Sequence, residues 1–171
     1  MPGNKSKILA IDPGLRHMGI AFVDSGDLLY HGVKVIERQR SPHEALKEGR
    51  KIILRLIRDL KPQVLVYEKA FFANNRTAAL LNVFVDEIRV IAKRKNLKIL
   101  GFAPREMKKL ICGNGKATKQ EVAWVVVSRF PELKVYLHQD RQWKERYWSN
   151  VFDAVALAML ASGNGQTGNQ N

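Results

Sequence analysis

The chain has a single cysteine, Cys112, among its 171 residues, so no internal disulfide can form and a reducing compartment is expected. No histidine stands near Cys112 at a spacing that would activate its thiol, which leaves it a structural residue. Neither C-x-x-C nor H-E-x-x-H occurs, which argues against zinc. G-x-x-x-x-G-K-[ST] is missing too, so there is no P-loop nucleotide site. The four histidines, His17, His31, His43 and His138, are scattered and suggest no cluster. No apolar run approaches the roughly 18 residues of a membrane span. The opening M-P-G-N-K-S-K lacks the apolar segment of a signal peptide. A soluble, cytoplasmic protein without membrane contact is expected. Acids are also in short supply, 16 against 29 basic residues, for a formal charge of +13 and a pI near 10.1. That excess predicts a polyanionic partner, nucleic acid ahead of an acidic membrane surface.

With 46% apolar residues the chain can build an ordinary core. Residues 1–162 read as one domain, and the polar tail G-N-G-Q-T-G-N-Q-N from Gly163 has nothing to bury and is expected to be disordered. Lys7–Asp12 is a short apolar strand that runs into the turn D-P-G. Met18–Asp24 and Leu28–Glu37 are the next strands, joined by an S-G-D hairpin turn. Ser41-Pro42 opens a helix with a serine N-cap and proline at its first position, and Lys61-Pro62 stops it. Val64–Tyr67 is an all-apolar strand that delivers Glu68. A long helix is expected from about Arg76 to Lys95, then a strand at Lys98–Phe102 and a short helix from Pro104. A G-N-G-K loop, a helix from Thr118 and a last helix at Ser149–Ala161 complete the chain. Three strands followed by alternating helices and strands predict an α/β fold, a mixed sheet covered on both faces in three layers. In the long helix Leu80, Phe84, Ile88 and Ile91 form one stripe, while Leu81, Val83, Val85 and Val90 spread around the cylinder. One face would pack on the sheet and another on a second subunit.

Three acids share an unusual setting. Asp12 and Glu68 end apolar strands, and Asp153 is the only polar residue between Val151 and Leu160. A carboxylate in such surroundings costs several kcal/mol unless it is paired, hydrated or metal-bound. Together, in so basic a chain, the three suggest one acidic pocket for hard divalent cations such as Mg²⁺. Two-metal sites of this kind catalyse in-line displacement at phosphorus.

Four segments carry a family resemblance. I-L-A-I-D-P-G-L-R-H-M-G-I-A-F, V-Y-E-K-A-F-F, A-P-R-E-M-K-K-L-I-C-G-N-G-K-A-T-K-Q-E-V and N-V-F-D-A-V-A-L-A-M resemble, in order, the motifs of RuvC-type Holliday junction resolvases. A D-x-G turn alone would be weak, since actin-like ATPases also have one; that fold needs a second such turn, and this chain shows one. The resemblance spans about residues 7–161. It implies an RNase H-like fold and a homodimer, here through the helix around residues 76–95. It also implies symmetric paired nicking of four-way junction DNA in recombination and repair, with a branch-migration complex as a further partner. Two Mg²⁺ per active site are implied, with Mn²⁺ as a substitute. Asp12, Glu68 and Asp153 match three of the family's four metal-binding acids. The fourth place holds Asn150, where the family has Asp or, in some members, His. An amide oxygen can ligate Mg²⁺ but brings no charge, so metal binding and catalysis should weaken. Three readings stay open: natural tolerance of Asn, a deliberate inactivating substitution, and a naturally inactive junction-binding relative.

Between Arg89 and Lys119 there are ten basic residues and one acid, Glu106, a density that predicts nucleic-acid contact. By resemblance Lys108 and Lys119 fall on positions that touch the DNA backbone near the scissile phosphate, with Arg105, Lys109 and Lys116 in support. Phe71 matches the aromatic that stacks on an unpaired base at the junction centre, and Phe72 is as well explained by packing. Tyr136–Trp148 mixes cations and aromatics, either a second DNA edge or a lid on the last helix.

Overall fold

The computed structural model describes residues 6–36, 41–69, 75–138 and 142–163, with the side chains of Gln142, Trp143 and Glu145 left out of that description. Phe71, Phe72 and the tail after Gly163 therefore lie outside the described residues. Five strands, β1 (Lys7–Asp12), β2 (His17–Asp24), β3 (Asp27–Val35), β4 (Val64–Glu68) and β5 (Lys98–Phe102), form one sheet in the order β3-β2-β1-β4-β5. The first three pair antiparallel, and β4 and β5 add parallel to β1. Ser25 and Gly26 both take positive φ, 54° and 94°, which is the two-residue hairpin geometry whose twist suits the flanking strands.

Alternation along the strands divides the core in two. Leu9, Ile11, Ile20, Leu65 and Tyr67 face α1 (Pro42–Leu60) and α2 (Arg76–Arg94). Ile8, Ala10, Ala21, Val64 and Val66 face the other way, toward α3 (Pro104–Cys112), α4 (Lys119–Arg129) and α5 (Gln142–Gly163). The result is the three-layer mixed sheet that the sequence pattern predicts. The Ser41 hydroxyl caps α1 by accepting from the Glu44 N–H, and Lys61 closes that helix at φ 48° before Pro62. The Asn75 side chain caps α2 in the same way, through the Ala78 N–H.

α5 is the central helix of its layer. It packs on β1, β2, β3 and β4 on one side and on α3 and α4 on the other. Val151, Phe152, Val155, Leu157 and four alanines between Ala154 and Ala161 are buried, which accounts for its nearly continuous apolar stretch. One boundary differs from expectation: α5 starts at Gln142 rather than Ser149, and ahead of it a 3-10 turn spans Pro131–Tyr136. The early turns of α5 consist of good helix formers and aromatics with no apolar period to betray them. Tyr136 stacks on Trp148, ring centroids 3.6 Å apart at 17°, so this segment covers the α5 layer of the core as a lid would.

In α2, Phe84, Val85, Ile88, Ile91 and Ala92 are buried, whereas Val83 and Val90, seven residues apart on the outer face, are each 48% exposed. No helix among the described residues is long and apolar enough to cross a membrane.

Candidate active site

Asp12 and Glu68 come together through strand register. β1 and β4 run parallel with Ala10 opposite Val66 and Ile11 opposite Tyr67, which sets Asp12 level with Glu68 at the ends of neighbouring strands. Strands pair about 4.8 Å apart, and residues two apart share a face, so both acids follow Ala10 and Val66 toward α5. The Lys69 N–H donates to the Phe102 carbonyl, 2.9 Å, and extends the β4–β5 ladder just past Glu68. Asp12 is only 9% exposed and is the one buried charged residue among those described.

α5 supplies the third acid. Its backbone rests on β2 at Gly19, the residue paired with Asp12, where a methyl group would overlap the Asn150 carbonyl oxygen. That close approach sets Asn150 and, one turn on, Asp153 over the strand ends. The Asp153 side chain is 14% exposed, and one of its oxygens lies 4.0 Å from Lys119 Nζ, a loose ion pair at the mouth of the site.

The electrostatics tie the three carboxylates into one group. Burial raises the Asp12 pKa well above the usual aspartate value, and repulsion from Glu68 and Asp153 adds to it against the opposing pull of Lys119. Glu68 is pushed up to about 7 by burial and then by Asp153, with Lys119 and Lys108 working the other way. Burial also raises Asp153, again opposed by Lys119 and Lys108. The acids stand within electrostatic reach without closing on one point; among the described residues no three His, Cys, Asp or Glu side chains converge as a ready metal cage. The donors on offer are carboxylate oxygens and one amide oxygen, hard ligands that suit Mg²⁺ or Mn²⁺ rather than a soft metal. Burial, the main cause of their raised pKa values, leaves the carboxylates poorly solvated, and a divalent ion would offset that loss. The residues present thus fit the implied group.

The fold sorts the basic residues. Lys98 sits opposite Val64, at the far end of the sheet from the acids, and α2 carries Lys93 and Arg94 back to that same end. Arg89 is paired with Asp86 at 3.4 Å. The ten basic residues from Arg89 to Lys119 are therefore not one surface. Their second half is at the right end, because β5 finishes at Phe102 opposite Glu68 and α3 starts two residues later. Lys108 and Lys119 are both felt by the acids, and Arg105, Lys109 and Lys116 are exposed around them. Gly113 ends α3 at φ 74°, the Asn114 side chain accepts from the Lys116 N–H, and Gly115 packs tightly against Arg105. A capping box between Thr118 and Glu121 then starts α4 with Lys119 in its first turn.

The model of the family "Crossover junction endodeoxyribonuclease RuvC" matches residues 8–160. The chain belongs to the RuvC family. Curated RuvC endodeoxyribonucleases of Neorickettsia sennetsu and Prochlorococcus marinus (strain MIT 9211) are 31% and 30% identical to it. The first match covers 88% of this chain and 89% of the relative, the second 90% and 94%. The structure of Thermus thermophilus RuvC in complex with Holliday junction substrate superposes with a TM-score of 0.75 at 22% identity, over 95% of this chain and 96% of that one. The chain thus shares the RuvC fold, and the family gives its activity class, that of an endodeoxyribonuclease.

Two parts of this RuvC-family site escaped the sequence reading. Gly19 was one, although a glycine inside an apolar strand is a signal of close backbone approach. The other is a cavity beside Lys119, assembled from α4, the 3-10 turn and α5, which no local pattern announces.

Proposed function

We propose that this chain is a divalent-metal-dependent endonuclease that resolves four-way DNA junctions by paired, symmetric nicks, with residues 1–162 working as one nuclease domain. The observation that carries this reading is the meeting of Asp12, Glu68 and Asp153 at the end of the sheet where Lys108 and Lys119 also lie. The family's nucleases are metal-dependent, and Asp12, Glu68, Asp153 and the Asn150 amide would hold two Mg²⁺, with Mn²⁺ as a substitute. Bound there, the metal supplies activation of the attacking water and charge neutralisation at the phosphate. The lysines draw the phosphodiester backbone to the carboxylates, and the apolar walls of the site keep the carboxylates poorly solvated, which strengthens their hold on a cation. Phe71 would stack on an unpaired base, and Arg105, Lys109 and Lys116 would hold flanking phosphates. The exposed Val83 and Val90 on α2 support a homodimer through that helix, which would set two active sites on symmetry-related strands. Work alongside a branch-migration complex, in the cytoplasm, fits this role.

The direct test is incubation with Mg²⁺ and end-labelled four-way junctions. Symmetric nicks near the junction centre with duplex left whole are expected; cutting of duplex or of RNA–DNA hybrid at the same rate would sink the proposal. Changing Lys108 and Lys119 together to alanine should weaken junction binding by about tenfold. It should also lower the slope of log affinity against log salt by roughly 2, one unit for each phosphate contact. An unchanged salt slope would remove these two lysines from the interface.

Asn150 favours a second reading, a protein that binds junctions and cuts them poorly or not at all. Asn150→Asp restores a charge to the ligand set and should lower the half-saturating Mg²⁺ concentration by about tenfold, since affinity follows ligand charge. If the parent chain is inert and the variant cleaves, the binding reading holds for the parent. A variant with the parent's metal requirement would show that the amide limits nothing.

A further inference from the structure

Beside the candidate active site lies a cavity of about 420 Å³. Lys119, Gln120 and Ala123 of α4 form one side, Tyr136 to His138 the second, and Arg146 to Phe152 of α5 the third. Lys119 belongs to both places, since its ammonium also lies 4.0 Å from Asp153, and Ser149 in the cavity wall precedes Asn150.

Its chemistry is specific in four respects. The wall is aromatic and braced: Tyr136 stacks on Trp148, and Tyr147 meets Trp148 edge-on at 5.1 Å. Two cations, Lys119 and Arg146, line it with no carboxylate among the described lining residues, so an anionic guest is favoured. Gln120 offers an amide that can donate and accept at a base edge. The Ser149 hydroxyl beneath the wall is buried with no hydrogen-bond partner among the described residues, at a cost of about 1–3 kcal/mol. The volume is at the small end of the roughly 300–1,000 Å³ range of ligand pockets, room for a single nucleotide and too little for a duplex.

We propose that this cavity receives one unpaired nucleotide of the cleaved strand, close to the scissile phosphate, with its base against the Tyr136–Trp148 wall and its phosphate toward Lys119 and Arg146. The inference rests on the nuclease reading and deepens it: the identity of that base enters the cleavage rate through the fit of the cavity. It can be tested with four-way junctions carrying 5-iodouracil at each position within three nucleotides of the centre, bound to Asp12→Asn protein and irradiated. Crosslinks from one position to Tyr136, His138 or Trp148 are expected. Gln120→Trp, which plugs the cavity from an exposed helical position, should remove them. In the otherwise unaltered enzyme it should also flatten, by about tenfold, the difference in cleavage rate between junctions that vary at that nucleotide, the scale of one base stack. Selective junction binding with crosslinks only outside the cavity, or crosslinks that survive Gln120→Trp, would overturn the inference and leave the nuclease reading standing. Failure to retain junctions over duplex would overturn both.

Discussion

Asp12→Asn should reduce junction cleavage by at least about 10³-fold and, in the absence of divalent metal, make the protein harder to unfold. The two effects have one cause. Asp12 is nearly out of water and is repelled by Glu68 and Asp153, so its ionised form is held at a cost that the folded chain bears for function. An asparagine removes the charge in nearly the same volume. The gain expected for relieving such a position is about 1–2 kcal/mol, or roughly 2–8 °C in Tm for a domain of this size. The sign with pH follows from the raised pKa. A carboxyl that binds its proton more tightly in the folded state costs stability as pH rises from its unfolded value, and the cost is complete above its folded value. The advantage of Asp12→Asn should therefore vanish near pH 4 and grow through neutrality, where Glu68, pushed up to about 7, still titrates. Saturating Mg²⁺ should reverse the order, stabilising the parent more than the variant by ligand linkage. Thermal melts at pH 4 and pH 8, with EDTA and with Mg²⁺, read all of this. An Asp12→Asn protein that melts lower at pH 8 in EDTA would mean that the aspartate serves the fold and not a cation.

The acids were legible in the sequence because each interrupts a pattern. Asp12 and Glu68 stand where apolar strand runs stop, and Asp153 breaks a helix that is otherwise apolar from Val151 to Leu160. Their shared setting suggested one pocket, but the geometry of their meeting was not legible locally, because strand order and register are long-range facts: nothing near Ala10 announces that Val66 lies beside it. The basic stretch shows the opposite failure. Lys98 and Lys108 are near neighbours in sequence, but β5 runs the length of the sheet between the two clusters and puts them at opposite ends. The first turns of α5 were lost because helix recognition depended on an apolar period, and theirs is a mix of cations and aromatics whose partner, Tyr136, comes from another segment.

Charge alone does not make the site; the spacing of α5 from the sheet does, and Gly19→Ala should show it. The added methyl would overlap the Asn150 carbonyl oxygen, lie 2.7 Å from its carbonyl carbon and press on Asp12 Cβ at 3.2 Å. The partner is helix backbone, so no rotamer change relieves the clash, and α5 shifts away from β2. Overpacking of this kind costs about 1–3 kcal/mol, which leaves most of the population folded. Catalysis should suffer more, because Asn150 and Asp153 ride on α5 while Asp12 stays on β1, and a displacement of about 1 Å in a reacting constellation can cost roughly 10²-fold. Gly32→Ala is the matched control, since its methyl meets only the Tyr30 ring, 3.3 Å from the hydroxyl oxygen. A mere loss of stability would lower the active fraction and leave the Mg²⁺ requirement alone. Displacement of the ligand set should instead raise the half-saturating Mg²⁺ concentration of Gly19→Ala while junction affinity holds. Parental rates and Mg²⁺ dependence in Gly19→Ala would show that the carboxylates find each other without the close seat of α5 on β2.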